Sequence, residues 1–328
     1  MQALEFKDRV RLISRRLEEF LPRSYPDALE VLTRILGPVT KDKEEFMYGF
    51  RLMPVAHFVE TNGLAHFDES IAALYEITKR HTVEFAIRPF LLEQEKRTLS
   101  VLRKWATDSS EDVRRLVSES TRPRLPWASR LGPFIDDPTP VIELLGLLKD
   151  DDSLYVRRSV DNNLNDISKD HPQVVLTTLK RWQSEGGDHV DWIIRHALRG
   201  LVKEGDPGAL ALIGVHKPLV TLTRLRLKPR RVEFGNYISV KFEVESRSRK
   251  PQRLVIDCIV HFVKSNGKRS PKVFKLITRK LNAGEKVDIE RRHTFKPITT
   301  RKHYSGKHRF EIQVNGVIMA GADFELVM

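Results

Sequence analysis

What constrains this chain most is that part of it repeats. Asp112-Val113-Arg114-Arg115-Leu116-Val117 returns 43 residues later as Tyr155-Val156-Arg157-Arg158-Ser159-Val160. A looser copy, Trp192-Ile193-Ile194-Arg195-His196-Ala197, follows after 37 more, and a weaker one, Phe85-Ala86-Ile87-Arg88-Pro89-Phe90, precedes them. A period near 40 built from helical segments is the mark of HEAT-type stacking, in which each helix pair buries its apolar face only against its neighbours. Register then predicts that Arg88, Arg115, Arg158 and Arg195 occupy similar places on successive inner helices and line one concave surface. Taken singly, each is an ordinary solvated helix charge; four in register favour a shared face.

Helical spacing of apolar residues supports this over residues 1–215. It runs through Phe46, Phe50, Met53, His57 and Phe58, through Leu99, Leu102 and Trp105, and through Val141, Leu144, Leu145 and Leu148. Thr139-Pro140 and Asp206-Pro207 each place a capping side chain before a proline suited to the first helical position. After Val215 the pattern changes to short alternating runs at Val220–Leu225, Ser239–Val244, Arg253–Ile256, Lys272–Leu276, Val287–Ile289 and His308–Ile312. Gly235-Asn236, Asn266-Gly267, Asn282-Ala283-Gly284 and Asn315-Gly316 separate them as turns. The expected architecture is an α-solenoid of HEAT-like repeats (1–215) followed by an all-β immunoglobulin-like sandwich (216–328).

Charge divides the same way. Residues 217–328 hold 26 Lys and Arg against 10 Asp and Glu, a net of +16, whereas the first 216 residues sum to −3 within the chain's +13. A surplus confined to one domain points to a polyanionic partner, and outward Lys and Arg on strands look like a phosphate-binding surface. The single cysteine, Cys258, rules out an intrachain disulfide and a Cys-based zinc site, which fits a reducing, cytoplasmic setting. The amino terminus lacks a signal-peptide core, and the most hydrophobic stretch, 254–263, is too short to span a bilayer. No His-Glu-x-x-His, phosphate loop or dinucleotide loop is present, so no metal or cofactor is expected.

One segment stands apart: Val117-Ser118-Glu119-Ser120-Thr121-Arg122-Pro123-Arg124-Leu125-Pro126-Trp127. A helix through Arg115 and Glu119 ends before Pro123, and Pro126 stiffens the approach to Trp127. Alone, such a tryptophan is more often a packing residue than a ligand platform. Glu84 and Arg88, like Arg115 and Glu119, are four apart, which reads most simply as two surface helix salt bridges. Asn162 aligns with Glu119 in the repeat, and Asp166 lies one turn beyond. Glu84, Glu119 and Asp166 are thus placed to converge on the arginine strip. Carboxylates weaken the affinity of a trough for polyanion, which favours a role in stabilising a cation.

These motifs resemble the AlkC family of bacterial alkylpurine DNA glycosylases. The resemblance rests on Arg88-Pro89-Phe90-Leu91, Val113 to Glu119 leading into Thr121 to Trp127, Tyr155 to Val160, Asn163-Leu164-Asn165-Asp166-Ile167, Lys169-Asp170-His171-Pro172, and Arg195-His196-Ala197-Leu198-Arg199. It implies a HEAT-like fold, in one branch with a carboxy-terminal immunoglobulin-like domain. It also implies base excision repair: hydrolytic removal of cationic bases such as 3-methyladenine and 3-methylcytosine from double-stranded DNA, without flipping the nucleotide, by a monofunctional enzyme acting as a monomer. Under it, Glu84, Glu119 and Asp166 are the active-site carboxylates and Trp127 the aromatic wall. Arg88, Arg115, Arg122, Arg124, Arg158, Asn162, Arg195 and Arg199 are the candidate DNA contacts. Members of the family generally carry a further helical stretch before the equivalent of Leu4, so the resemblance implies either that this chain lacks an amino-terminal piece or that its numbering begins late, and Asp161 stands where a small residue is expected. The competing reading is a non-catalytic HEAT-repeat adaptor that binds nucleic acid, since fold alone does not give function.

Overall fold

A computed structural model describes residues 4–39, 49–299 and 301–328. Phe46 of the first predicted apolar set lies outside them. The chain divides into two compact units, Met1–Ala197 and Leu198–Met328. The first contains helices α1 (Phe6–Phe20), α2 (Tyr25–Arg34), α3 (Met53–Asn62), α4 (Phe67–Thr78), α5 (Arg88–Glu93), α6 (Glu95–Trp105), α7 (Glu111–Ser120), α8 (Gly132–Asp136), α9 (Thr139–Leu147), α10 (Leu154–Ile167), α11 (Pro172–Glu185) and α12 (Val190–Ala197).

The sequence repeat has a structural counterpart. Asp108 accepts the backbone N–H of Ser110 at 2.8 Å, as Asp151 accepts that of Ser153 at 2.8 Å. Arg114, early in α7, donates back to the carbonyls of Asp108 and Ser109, and Arg157 in α10 does the same to Asp151 and Asp152. The first arginine of each Arg-Arg pair therefore ties the start of its helix to the preceding loop, where carbonyls and N–H groups lack helical partners. Asp151 also links the copies, since its carboxylate takes both Nε and Nη2 of Arg114, at 2.6 and 3.0 Å.

Helix α7 packs against α4, α6, α9 and α10, and α10 packs in turn against α12. Val113, Leu116 and Val117 of α7 and Val156, Val160 and Leu164 of α10 are all fully buried. Yet α7 also buries Ser118, Glu119 and Ser120, and α10 buries Ser159, Asp161, Asn163 and Asp166. Buried polar residues on two facing helices demand partners and mark a site. One predicted cap differs: Thr139 is itself the first residue of α9, behind Pro138, and its N–H donates to Asp137 at 2.9 Å. Asp206 does cap as expected, accepting from Ala209 at 2.8 Å.

The second unit opens with the short helices α13 (Arg199–Glu204) and α14 (Pro207–Leu212), so the packing boundary precedes the change of secondary structure. Strands β1 (Val220–Lys228), β2 (Arg231–Glu233), β3 (Tyr237–Ser246), β4 (Gln252–Val263), β5 (Arg269–Leu281), β6 (Lys286–Thr294), β7 (Gly306–Val314) and β8 (Val317–Val327) follow. They form a three-stranded sheet, β1-β3-β6, and a five-stranded sheet, β2-β8-β7-β4-β5. Val240, Phe242, Val244 and Ile289 of the first share one core with Ile256, Cys258, Val260, Phe310 and Ile312 of the second. Burial pushes the Cys258 thiol up to about 12, so it serves as a small core residue. Arg224, with φ of 58°, sits in a bulge between Thr223 and Arg226, and this lets both Leu222 and Leu225 reach the core despite their odd spacing.

The Asn315-Gly316 turn joins β7 to β8 with positive φ at both residues, 45° and 80°. A Cβ on Gly316 would lie 2.7 Å from the Cα of Gly205, the left-handed residue that ends α13. Asn315 holds the same junction, donating to the carbonyls of His216 and Arg253 and accepting from the N–H of Val255. Gly316→Ala is expected to lower the unfolding free energy by about 2–3 kcal/mol in urea titration. Gly267→Ala, also at positive φ (74°) but facing open space, is expected to cost about 1 kcal/mol.

Candidate active site

The three candidate carboxylates come together through arginines. Glu84 lies in the turn ahead of α5, so it does not form the predicted helical pair with Arg88. Its Oε2 instead accepts from Arg115 of α7 at 2.7 Å and from the Thr82 hydroxyl at 3.0 Å. Arg115 also donates to Thr82 at 2.8 Å and approaches Oε1 of Glu119 at 3.5 Å, with its guanidinium over the Tyr155 ring. Oε1 of Glu119 takes a 2.8 Å bond from Arg122, while Oε2 takes one of 2.6 Å from the Ser159 hydroxyl of α10. Arg122 then reaches Oδ2 of Asp166 through Nε and Nη2, both at 2.9 Å, and Lys169 closes the row on Oδ1 at 2.8 Å.

The result is an alternating row: Glu84, Arg115, Glu119, Arg122, Asp166, Lys169. Glu119, Arg122 and Asp166 are at most 9% exposed. Burial opposes the charge on Arg115 and on Arg122, but Glu119 acts on both, with Glu84 on the first and Asp166 on the second, and holds both guanidinium groups above their usual range. Both oxygens of Glu119 and both of Asp166 are engaged. Glu84 has one oxygen, Oε1, with no partner among the described residues.

Trp127 is not a packing residue. It is 77% exposed and adopts φ of 66°, a left-handed conformation unfavourable for a bulky side chain. The surroundings fix it there. Lys7 of α1 donates to its carbonyl, and Arg88 donates to the carbonyl of Ser129 at 2.6 Å. The same guanidinium donates to the carbonyls of Ser120 and Arg122 at 2.8 and 2.9 Å. Arg88 therefore ties the end of α7 and the backbone of Arg122 to the Trp127 loop.

The arginine column of the sequence reading needs correction. Arg88 is 3% exposed, directed at carbonyls rather than solvent, because the helix end and loop supply acceptors that only a buried donor can reach. Burial, followed by the Arg122 charge, pushes it down to about 10, still protonated at neutral pH. Arg115 and Arg122 are ion-paired inside the row. Arg124 is half-buried and paired with Asp170 at 2.7 Å. Arg158 and Arg195 are exposed, Asn162 is half-buried, and Arg199 is half-buried in the second unit.

Several residues of the site escaped the sequence reading. Thr82 and Ser159 hold carboxylates, Lys169 ends the row, and Asn163 donates to the carbonyl of Ser118 and the hydroxyl of Thr121. Ser159 and Asn163 stood inside the quoted motifs, and their signal was a polar side chain on the apolar face of a helix. Among the described residues no group of three or more His, Cys, Asp or Glu is placed to hold a metal ion, and no helix is long and apolar enough to cross a membrane.

Comparison with known proteins follows this geometry. Residues 221–328 match the family model described as "Uncharacterised protein YhaZ, C-terminal Ig-like domain". The chain is 39% identical over 324 residues to "Uncharacterized protein YhaZ" of Bacillus subtilis (strain 168), covering 98% of this chain and 88% of that protein. The structure of Pseudomonas fluorescens alkylpurine DNA glycosylase AlkC, bound to DNA containing an abasic site analog, matches with a TM-score of 0.92 and 41% identity. That match covers 99% of this chain and 89% of the other.

Removing the Arg88 guanidinium leaves three buried carbonyls without their donor. Arg88→Met is expected to lower the unfolding free energy by about 3–5 kcal/mol. Arg195→Ala, at an exposed position, is expected to stay within about 0.5 kcal/mol in the same denaturation assay.

Proposed function

Because the chain belongs to the AlkC family of DNA alkylation repair glycosylases, together with YhaZ of Bacillus subtilis, we propose that it excises cationic alkylated bases from double-stranded DNA. The carrying observation is the alternating row, which pairs three carboxylates with arginines and is tied through Arg88 to the loop of the exposed Trp127. In this reading the first unit is a HEAT-like array and needs no cofactor. The basic β-sheet unit supplies phosphate contacts in a salt-sensitive manner.

The chemistry follows from charge. A base alkylated at N3 is positively charged and leaves without protonation, so the enzyme's work lies at the sugar, which becomes oxocarbenium-like as the glycosidic bond stretches. Anions fixed before the reaction stabilise that charge without reorganising. Glu119 and Asp166, with every oxygen engaged, suit this electrostatic role. Glu84 suits a second one, because its uncommitted Oε1 can orient the attacking water and take its proton. Trp127 supplies a π-face to the cationic base or its sugar. Ser159 and Thr82 are positioning residues that keep two of the carboxylates in place.

Hydrolysis leaves an abasic site and a free base, so the test is direct. The protein is expected to release free 3-methyladenine from methylated duplex, followed chromatographically under single-turnover conditions. Glu84→Gln is expected to slow release by about 100-fold or more while affinity for undamaged duplex is held or tightened. Parental rates in that variant contradict the role given to Glu84. No release from any lesion identifies a binding adaptor instead.

A further inference from the structure

Helix α1 adds little to the core of the first unit, since Val10 and Ser14 are the only buried residues among its 15. It packs against α3, and its first turn brings Lys7 to the Trp127 loop. A lysine on such a helix ordinarily keeps its ammonium group in water. The Lys7 ammonium instead donates to the Trp127 carbonyl and lies 4.3 Å from the centre of the Phe85 ring. We propose that Lys7 is a positioning residue for the excision proposed above, a reading on which this inference rests: it fixes the Trp127 peptide and so holds the indole at the reacting centre.

Backbone strain supplies the need for such a residue. Trp127 keeps φ of 66°, and a bulky side chain relaxes from that conformation unless its neighbours prevent it. The Arg88 anchor acts further along the loop, on the carbonyl of Ser129. Among the described residues, the donor to the Trp127 carbonyl itself is Lys7. Lys7, Thr82 and Trp127 line one cleft of about 300 Å³, and Thr82 is the hydroxyl that holds Glu84, so lysine, indole and carboxylate row lie side by side. Charge joins them as well. Burial pushes the Lys7 ammonium down, while the carboxylates of Glu60 and Glu84 oppose that shift and Arg11 adds to it. Lys7 forms no ion pair among the described residues, so its hydrogen bond goes to the Trp127 peptide while its charge acts at longer range on Glu84, the carboxylate with an uncommitted oxygen.

Single-turnover release of 3-methyladenine from methylated duplex, with affinity for undamaged duplex measured beside it, tests this role in the full chain. Lys7→Met, which keeps an apolar stem over Phe85 and removes the ammonium, is expected to slow release about tenfold and to leave affinity within about twofold. Lys7→Arg, which keeps a charged donor, is expected to recover release to within about threefold of the parent. Trp127→Ala is expected to slow release too, and adding Lys7→Met to it is expected to slow it no further, because a residue that acts through Trp127 then has nothing to position. The proposal is overturned by parental release in Lys7→Met, by losses that add in the double variant, or by a fall in duplex affinity that matches the fall in rate and makes Lys7 a phosphate contact. Release by the parent protein separates the two readings. Where the parent releases base, those outcomes remove the Lys7 role alone; where it does not, the glycosylase reading fails and the Lys7 role with it.

Discussion

The candidate site depends on the alternation of three carboxylates, Glu119 and Asp166 buried and Glu84 half-buried, with the guanidinium groups of Arg115 and Arg122. Removing one member of such a set leaves an uncompensated charge in a low-dielectric site, a loss of about 3–5 kcal/mol. Packing apolar residues in their place is often neutral or stabilising, so the row is not what the fold needs for stability. The surroundings are arranged to keep it nonetheless. Ser159 and Thr82 fill lone pairs the arginines do not reach, and the buried valines and leucines of α7 and α10 bring the helices together around it. An arrangement that the fold could replace with leucines, yet supports from several elements, is explained by chemistry.

Arg88 extends the argument to the backbone. Its guanidinium joins the end of α7, the Arg122 peptide and Ser129, so the carboxylate row and the Trp127 loop share one anchor. A tryptophan at φ of 66° persists only where its neighbours over-determine it. Strain held against two cationic side chains presents the indole to solvent, ready for a partner. Preorganisation of this kind is what a site needs when the charge it must meet exists only at the transition state.

Much of this was legible in the sequence. The 43-residue repeat surfaced as matching Asp108-Ser110-Arg114 and Asp151-Ser153-Arg157 arrangements, and the switch to alternating residues after Val215 marked the strands. Spacing also selected Glu84, Glu119 and Asp166. Arg88 and Arg115 were misread because register says which residues occupy equivalent helix positions, not whether each is buried: Arg115 sits between carboxylates, whereas its counterpart Arg158 is exposed. Trp127 was named from its motif, but its exposure was not legible, because it is set by backbone conformation and by a lysine 120 residues away. Strand β8 escaped because its first residues, Val317–Ala320, show no alternation, which begins only on the approach to the buried Phe324 and Leu326.

The account holds that fixed anions recognise positive charge on a deoxyribose. The most direct measurement compares affinity for two otherwise identical duplexes, one carrying a cationic pyrrolidine at the lesion position and the other a neutral tetrahydrofuran. The account predicts a preference of about tenfold or more for the cation, abolished when Glu84 is neutralised. Equal affinity for the two duplexes contradicts it.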